Sequence, residues 1–131
     1  MDIGETTKIF DFSAGHFLPG HNHCGKYHGH NYKLHITVSG KINPLTGFII
    51  DFYDLKKIVE QAVWEVLDHS QEKSGLLNDA LDFVPTCENL TVWIWDKIYL
   101  NLNCAGVQLK RVRLFETDDS YSDYYGERIT N

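Results

Sequence analysis

From Thr7 to His16 the even-numbered positions Phe10, Phe12, Ala14 and His16 share one face of an alternating run, although Ile9 interrupts the polarity of the other face. Two-residue alternation is the pattern of a strand buried on one side, so a strand is predicted whose inner row ends in histidine. A stronger alternation runs from His28 to Val38. His28, His30, Tyr32, Leu34, Ile36 and Val38 face one way, and Asn31, Lys33, His35, Thr37 and Ser39 the other. This hydrophobic row begins with two histidines, which places them at the rim of a core. Residues 17–25 between the runs carry Pro, Gly and Asn and are predicted to be a loop that brings Cys24 to the histidines. Lys41 to Gly47 reads as a turn, and Phe48 to Phe52 as a short strand returning antiparallel.

The period then changes. Leu55, Ile58, Val59, Ala62, Val63, Val66 and Leu67 recur at helical spacing, with Asp51 or Asp54 as N-cap. This helix delivers Asp68 and His69 at its end. The polar stretch 70–84 is predicted as a loop with a turn of helix around Leu76 to Leu81. Pro85-Thr86 opens a second helix, with Thr86 as N-cap, Glu88 in the first turn, and Leu90, Trp93, Ile94 and Ile98 as its stripe. Val107 to Glu116 reads as a strand with Val112, Leu114 and Glu116 on one face and Arg111 and Arg113 on the other; Tyr121 to Tyr125 adds an edge strand. The order predicts an α+β domain in which two helices pack on one face of an antiparallel sheet.

Composition narrows the picture. A chain of 131 residues with 43% hydrophobic residues fits one domain, residues 1–131, with a core that needs no disulfide staples. A formal charge of -6 argues against a nonspecific nucleic acid binder, and an anionic substrate must be met by a local cluster. The three cysteines, Cys24, Cys87 and Cys104, form no CxxC pair and point to a reducing compartment. No apolar run reaches membrane length, and the opening MDIGETTKIF lacks the regions of a signal peptide, so the cytoplasm is expected.

The candidate chemistry gathers around Cys24-Gly-Lys-Tyr-His28-Gly-His30. On a strand His28 and His30 present two imidazoles side by side, and His16, on a run of matching parity, supplies a third. Three neutral imidazoles on a zinc ion leave one coordination position open, as in a catalytic site. Cys24 is open to three readings: a fourth ligand closing a structural site, an inert thiol, or an acid–base thiol lowered in pKa by the adjacent cation. Cys87 and Cys104 have no such company. His35 falls on the polar face as a solvated side chain, while His21 and His23 are pocket-mouth or alternative ligand candidates. Asp68-His69 is either a solvated pair or an imidazole oriented by a carboxylate for proton transfer. Glu116 on an apolar face needs donors, which a ligand offering two N–H groups would provide.

The run FSAGH, then CGKYHGHNYKL from Cys24 to Leu34, NPLTGFIIDFYDLK, LDH, PTCENL and FET together resemble the 6-pyruvoyltetrahydropterin synthase superfamily over nearly the whole chain, Phe10 to Glu116. The three-residue gap between Cys24 and His28, with GFIIDF, resembles its 6-carboxytetrahydropterin synthase branch of queuosine biosynthesis. The stretch between His69 and Pro85 is longer than in typical bacterial members and bears on substrate choice. The resemblance implies the tunnelling fold (T-fold) and zinc on His16, His28 and His30. It implies Cys24 as the catalytic thiol, Asp68 and His69 as the proton relay, and Glu116, with Thr86 and Glu88, as the pterin-binding set. The implied substrate is 7,8-dihydroneopterin triphosphate, converted to 6-carboxytetrahydropterin with release of acetaldehyde and triphosphate; Lys26, His21 and His23 are candidates for the triphosphate. The alternatives are the biopterin branch, which keeps the pyruvoyl side chain, and a non-catalytic zinc or pterin module. A homohexamer of two trimeric rings is also implied, with sites at subunit interfaces and the relay histidine drawn from a neighbour.

Overall fold

The computed structural model describes residues 1–16, 18–19, 28–68, 76–103 and 105–129. The two alternating runs form β1, Ile3–His16, and β2, His28–Lys41, paired antiparallel in one unbroken register from Ile3 opposite Lys41 to His16 opposite His28. Their inner rows merge, with Phe10 beside Leu34, Phe12 beside Tyr32 and Ala14 beside His30. Apolar side chains on one face of two paired strands leave water together only if something covers that face. The cover is helical. α1, Phe52–Val59, continues through a π turn at Glu60–Trp64 into α2, Glu65–Leu67; a short α3, Leu77–Ala80, and the long α4, Cys87–Asn103, follow. β3, Gln108–Thr117, and β4, Ser120–Tyr124, complete a four-stranded sheet in the order β1-β2-β3-β4. This is the expected α+β arrangement: α4 packs on β3 and β4, and the remaining helices lie nearer β1.

The first helix shows why its apolar spacing works. Leu55, Val59, Val63 and Leu67 are all buried, each four residues after the last. In an α-helix a four-residue step overshoots a full turn by about 40°, so such a row drifts off the core. The wider π turn at Glu60–Trp64 rotates it back. Asp51 caps the helix, its side chain accepting from Tyr53 N at 2.7 Å, and Thr86 caps α4 by accepting from Asn89 N at 3.1 Å.

Phe48 to Phe52 is not a strand. The Asn43 side chain accepts from Leu45 N and Thr46 N at 2.8 and 3.2 Å, and Asn43 N donates to Phe48 O at 2.9 Å, closing a loop on itself. With Asp51 already serving as helix cap, only Ile49 and Ile50 lie between, and they lean half-buried on the core. Capping competes with strand pairing here and wins.

β3 departs from simple alternation. Thr37 faces Arg111 but Val38 faces Leu109, so Lys110 is an extra residue. A bulge reverses the parity of a strand, which is why Leu109 is buried at an odd position and Val112 and Leu114 at even ones. No helix among the described residues is long and apolar enough to cross a membrane.

After β4 the chain turns at Gly126, with φ of +83°, and passes over α4 so closely that a Cβ there would meet the Trp95 ring at 2.5 Å. Gly126→Ala is therefore expected to lower the unfolding free energy by about 1–3 kcal/mol in urea melts. Gly47→Ala, also at positive φ but in open space, should cost less than Gly126→Ala in the same measurement.

Candidate metal centre and adjoining cleft

The strand register alone brings the three histidines together. His16 ends β1 directly opposite His28, and His30 lies two residues along β2 on the same face, opposite the small side chain of Ala14. Ring centroids lie 4.5 Å apart for His16 and His28, 5.0 Å for His16 and His30, and 4.7 Å for His28 and His30. One nitrogen from each ring lies within 4.8 Å of the other two. The Nε2 atoms of His16 and His28 are 2.9 Å apart.

The donor chemistry fits a cation. His16 Nδ1 lies 2.9 Å from the Pro85 carbonyl oxygen, which only accepts, so Nδ1 carries the proton and Nε2 presents its lone pair to the centre. A carbonyl that orients a ligating imidazole is a usual supporting contact of a metal site. The Tyr32 hydroxyl approaches the same Nδ1 at 3.3 Å. His30 Nε2 is buried without a hydrogen-bond partner among the described residues, its nearest carboxylate oxygen, from Glu116, standing at 3.6 Å. A metal ion would satisfy this orphaned buried nitrogen together with the two neighbouring imidazoles, and three imidazole nitrogens are a donor set that suits zinc.

Burial lowers the pKa of His16, opposed by its contact with Pro85 and the charge of Glu116. Burial likewise lowers that of His30, with Glu116 opposing and the other two imidazoles reinforcing. Both are thereby kept neutral near pH 7, the form that binds metal.

A cleft of about 410 Å³ opens beside this centre, lined by Leu18, Thr86, Cys87, Glu88, Glu116 and the first residues of β4. All three side chains expected to bind the substrate, Glu116, Thr86 and Glu88, therefore line one cavity. Glu116 joins the cavity to the histidines. It sits at a second bulge, where Phe115 faces Tyr121 and Thr117 faces Ser120, a device that re-aims a side chain. Asp68 caps the end of α2, half-buried. Cys24, His69, His21, His23, Lys26 and Cys104 lie outside the described residues. His35 is not simply solvated: its ring lies 5.2 Å from that of Phe115 in a tilted contact, and burial, with Arg113, Arg111 and Lys33 nearby, lowers its pKa.

Sequence reasoning did not reach three participants. The Pro85 carbonyl is a backbone group with no sequence signal. Tyr32 reads as one more core aromatic of β2. Cys87 reads as a lone thiol until α4 turns it toward Leu114.

Comparison with known proteins follows the same lines. The family model described as 6-pyruvoyl tetrahydropterin synthase matches residues 5–127. A protein of Archaeoglobus fulgidus provisionally named 6-carboxy-5,6,7,8-tetrahydropterin synthase is 39% identical over 123 residues, covering 94% of each chain. The 6-pyruvoyl tetrahydrobiopterin synthase of Homo sapiens is 43% identical over 100 residues, covering 76% of this chain and 67% of the human one. The structure of Caenorhabditis elegans 6-pyruvoyl tetrahydropterin synthase superposes with a TM-score of 0.83 at 25% identity, covering 97% of this chain and 98% of the other.

The lowered imidazoles carry a pH signature. The unfolded chain protonates these rings around the ordinary value of about 6.5, where the folded chain still resists. Stability from their neutral form is thus complete above that pH and is lost as pH falls through the lower folded values. Urea melts of metal-free protein should show a lower midpoint at pH 5.5 than at 7.5; an unchanged midpoint would contradict the burial argument.

Proposed function

The chain belongs to the 6-pyruvoyl tetrahydropterin synthase family, and from that premise we propose that it is a zinc-dependent 6-carboxytetrahydropterin synthase. The observation that carries this reading is the junction at Glu116, whose carboxylate lies 3.6 Å from His30 and also lines the cleft. A flat heterocycle bound through Glu116 therefore extends its substituent toward the three imidazoles. Support for the carboxy branch comes from the short gap between Cys24 and His28 and from the end-to-end likeness to the Archaeoglobus fulgidus protein. The identity to the human synthase favours a second reading, 6-pyruvoyltetrahydropterin formation.

The proposed substrate is 7,8-dihydroneopterin triphosphate. Zinc held by His16, His28 and His30 would supply a Lewis acid for the side-chain hydroxyls. Glu116 accepts hydrogen bonds from the 2-amino group and a ring N–H. Thr86, whose oxygen already accepts from Asn89 N, keeps its hydroxyl proton to donate, and Glu88 adds a second carboxylate at the cleft. Cys24 moves side-chain protons on one face, and His69, oriented by Asp68, on the other. The carbon–oxygen bond to triphosphate breaks, and two electrons pass from the side chain into the pyrazine ring, so no external reductant is consumed. Cleavage of one side-chain carbon–carbon bond with uptake of water then yields 6-carboxytetrahydropterin and acetaldehyde.

The same reading takes residues 1–131 as a single T-fold domain working in the cytoplasm, with the pathway of queuosine as its setting. It also includes assembly into a hexamer of two trimers with sites completed between subunits. The position of β1 and β4 at the sheet edges supports such assembly, because an edge strand offers its backbone to another chain.

Incubation of the zinc-loaded protein with 7,8-dihydroneopterin triphosphate is expected to release triphosphate and acetaldehyde, detected by mass spectrometry. A pyruvoyl product without acetaldehyde selects the second reading, and no triphosphate release selects a non-catalytic module. Cys24→Ala should lose at least about 100-fold in turnover while retaining zinc; loss of zinc instead would mark Cys24 as a ligand. His28→Ala and His30→Ala should each abolish stoichiometric zinc binding, measured by metal analysis.

A further inference from the structure

Glu116 aims the cleft, yet the sheet does little to hold it. The pairing of β3 with β2 ends at Phe115, opposite Lys33, and the pairing with β4 passes from Phe115 to Thr117. A bulged residue is left out of the ladder, so its backbone takes its direction from whatever fixes the strand just before it. Two residues earlier the Cys87 thiol donates to the Leu114 carbonyl oxygen at 3.0 Å.

Cys87 is the first residue of α4 and lines the same cleft as Glu116, where its thiol also meets Ser122 of β4. Its neighbours in sequence are Thr86 and Glu88, the other two recognition side chains. One buried S–H thus ties the first turn of α4 to the strand that presents Glu116.

We propose that Cys87 is a positioning residue for the recognition cleft: its thiol, donated to Leu114, sets the spacing between the Thr86–Glu88 turn and the Glu116 carboxylate. This inference rests on the reading of the cleft as a pterin site. Two properties suit the thiol to the role. It is only 8% exposed, so the hydrogen bond is shielded from competing water. Burial pushes its pKa up, with Glu116 and Glu88 adding to the rise and hydrogen bonding to Ser122 opposing it, so it stays protonated and remains a donor rather than a nucleophile. A side chain of similar size without a donor leaves the Leu114 carbonyl unpartnered on this side and frees the bulge to shift.

The test compares wild type, Cys87→Val, Cys87→Ala and Cys87→Ser, each zinc-loaded, for binding of unsubstituted pterin by fluorescence titration, alongside zinc content and steady-state kinetics. Cys87→Val and Cys87→Ala are expected to weaken pterin binding about tenfold and to raise KM by a similar factor, with kcat and zinc content near wild type. Cys87→Ser, which restores a donor, should recover most of the affinity. A purely structural thiol would shift the melting temperature without this split between KM and kcat and without rescue by serine. Wild-type pterin affinity in Cys87→Val, or in Cys87→Ala if the valine variant does not fold, overturns the inference and leaves the pterin reading intact. Failure of all four proteins, wild type included, to bind pterin overturns the pterin reading and the inference with it.

Discussion

The antiparallel register of β1 on β2 is the constraint on which the rest depends. Because His16 stands opposite His28 and Ala14 opposite His30, three imidazoles converge and a methyl group leaves them room. A slip of one residue would turn one strand's entire inner row to the other face, exposing Phe10 and Phe12 and separating His16 from its partners. Core burial and site assembly are enforced by the same pairing. The hydrophobic row that excludes water from Leu34 and Ile36 also fixes the rings of His28 and His30 at the row's end.

Around that hairpin the site is finished by exceptions to regular structure. The bulge at Lys110 rephases β3 so that Leu109, Val112 and Leu114 all reach the core, and the bulge at Glu116 lifts a carboxylate out of the ladder toward the histidines. The start of α4 contributes backbone as well as side chain. Pro85 offers its carbonyl to His16 while the next three residues line the cleft. The histidine cluster and the cleft thus share one helix terminus, and any displacement of α4 along the sheet reaches both.

Burial has opposite electrostatic consequences for the groups gathered here, and both are useful. It holds His16 and His30 neutral, ready to offer lone pairs, and it holds Cys87 protonated as a donor. Tyr32, buried against His16, is raised far above the ordinary phenol range by the same cause and stays a neutral hydroxyl. The outward face of the sheet is treated differently. There Arg113 is paired in bidentate fashion with Asp123, and Lys33 with Asp11, which neutralises cations that the solvent would otherwise have to screen.

Much of this was legible in the chain alone, because two-residue and helical periods are local properties and caps are short motifs. The strands, the two main helices, Thr86 as one cap and Asp51 or Asp54 as the other, and the inward parity of His16, His28, His30 and Glu116 all follow from spacing; the structure chose Asp51. What spacing cannot encode is competition and register. The run Phe48 to Phe52 has the composition of a strand, but the Asn43 loop took the backbone at one end and the helix capped by Asp51 took it at the other, a contest between neighbouring structures that the run's own composition does not show. The π turn, the two bulges, the Pro85 carbonyl and the reach of Cys87 to Leu114 arise only when packed elements must reconcile mismatched periods, so tertiary structure alone decided them.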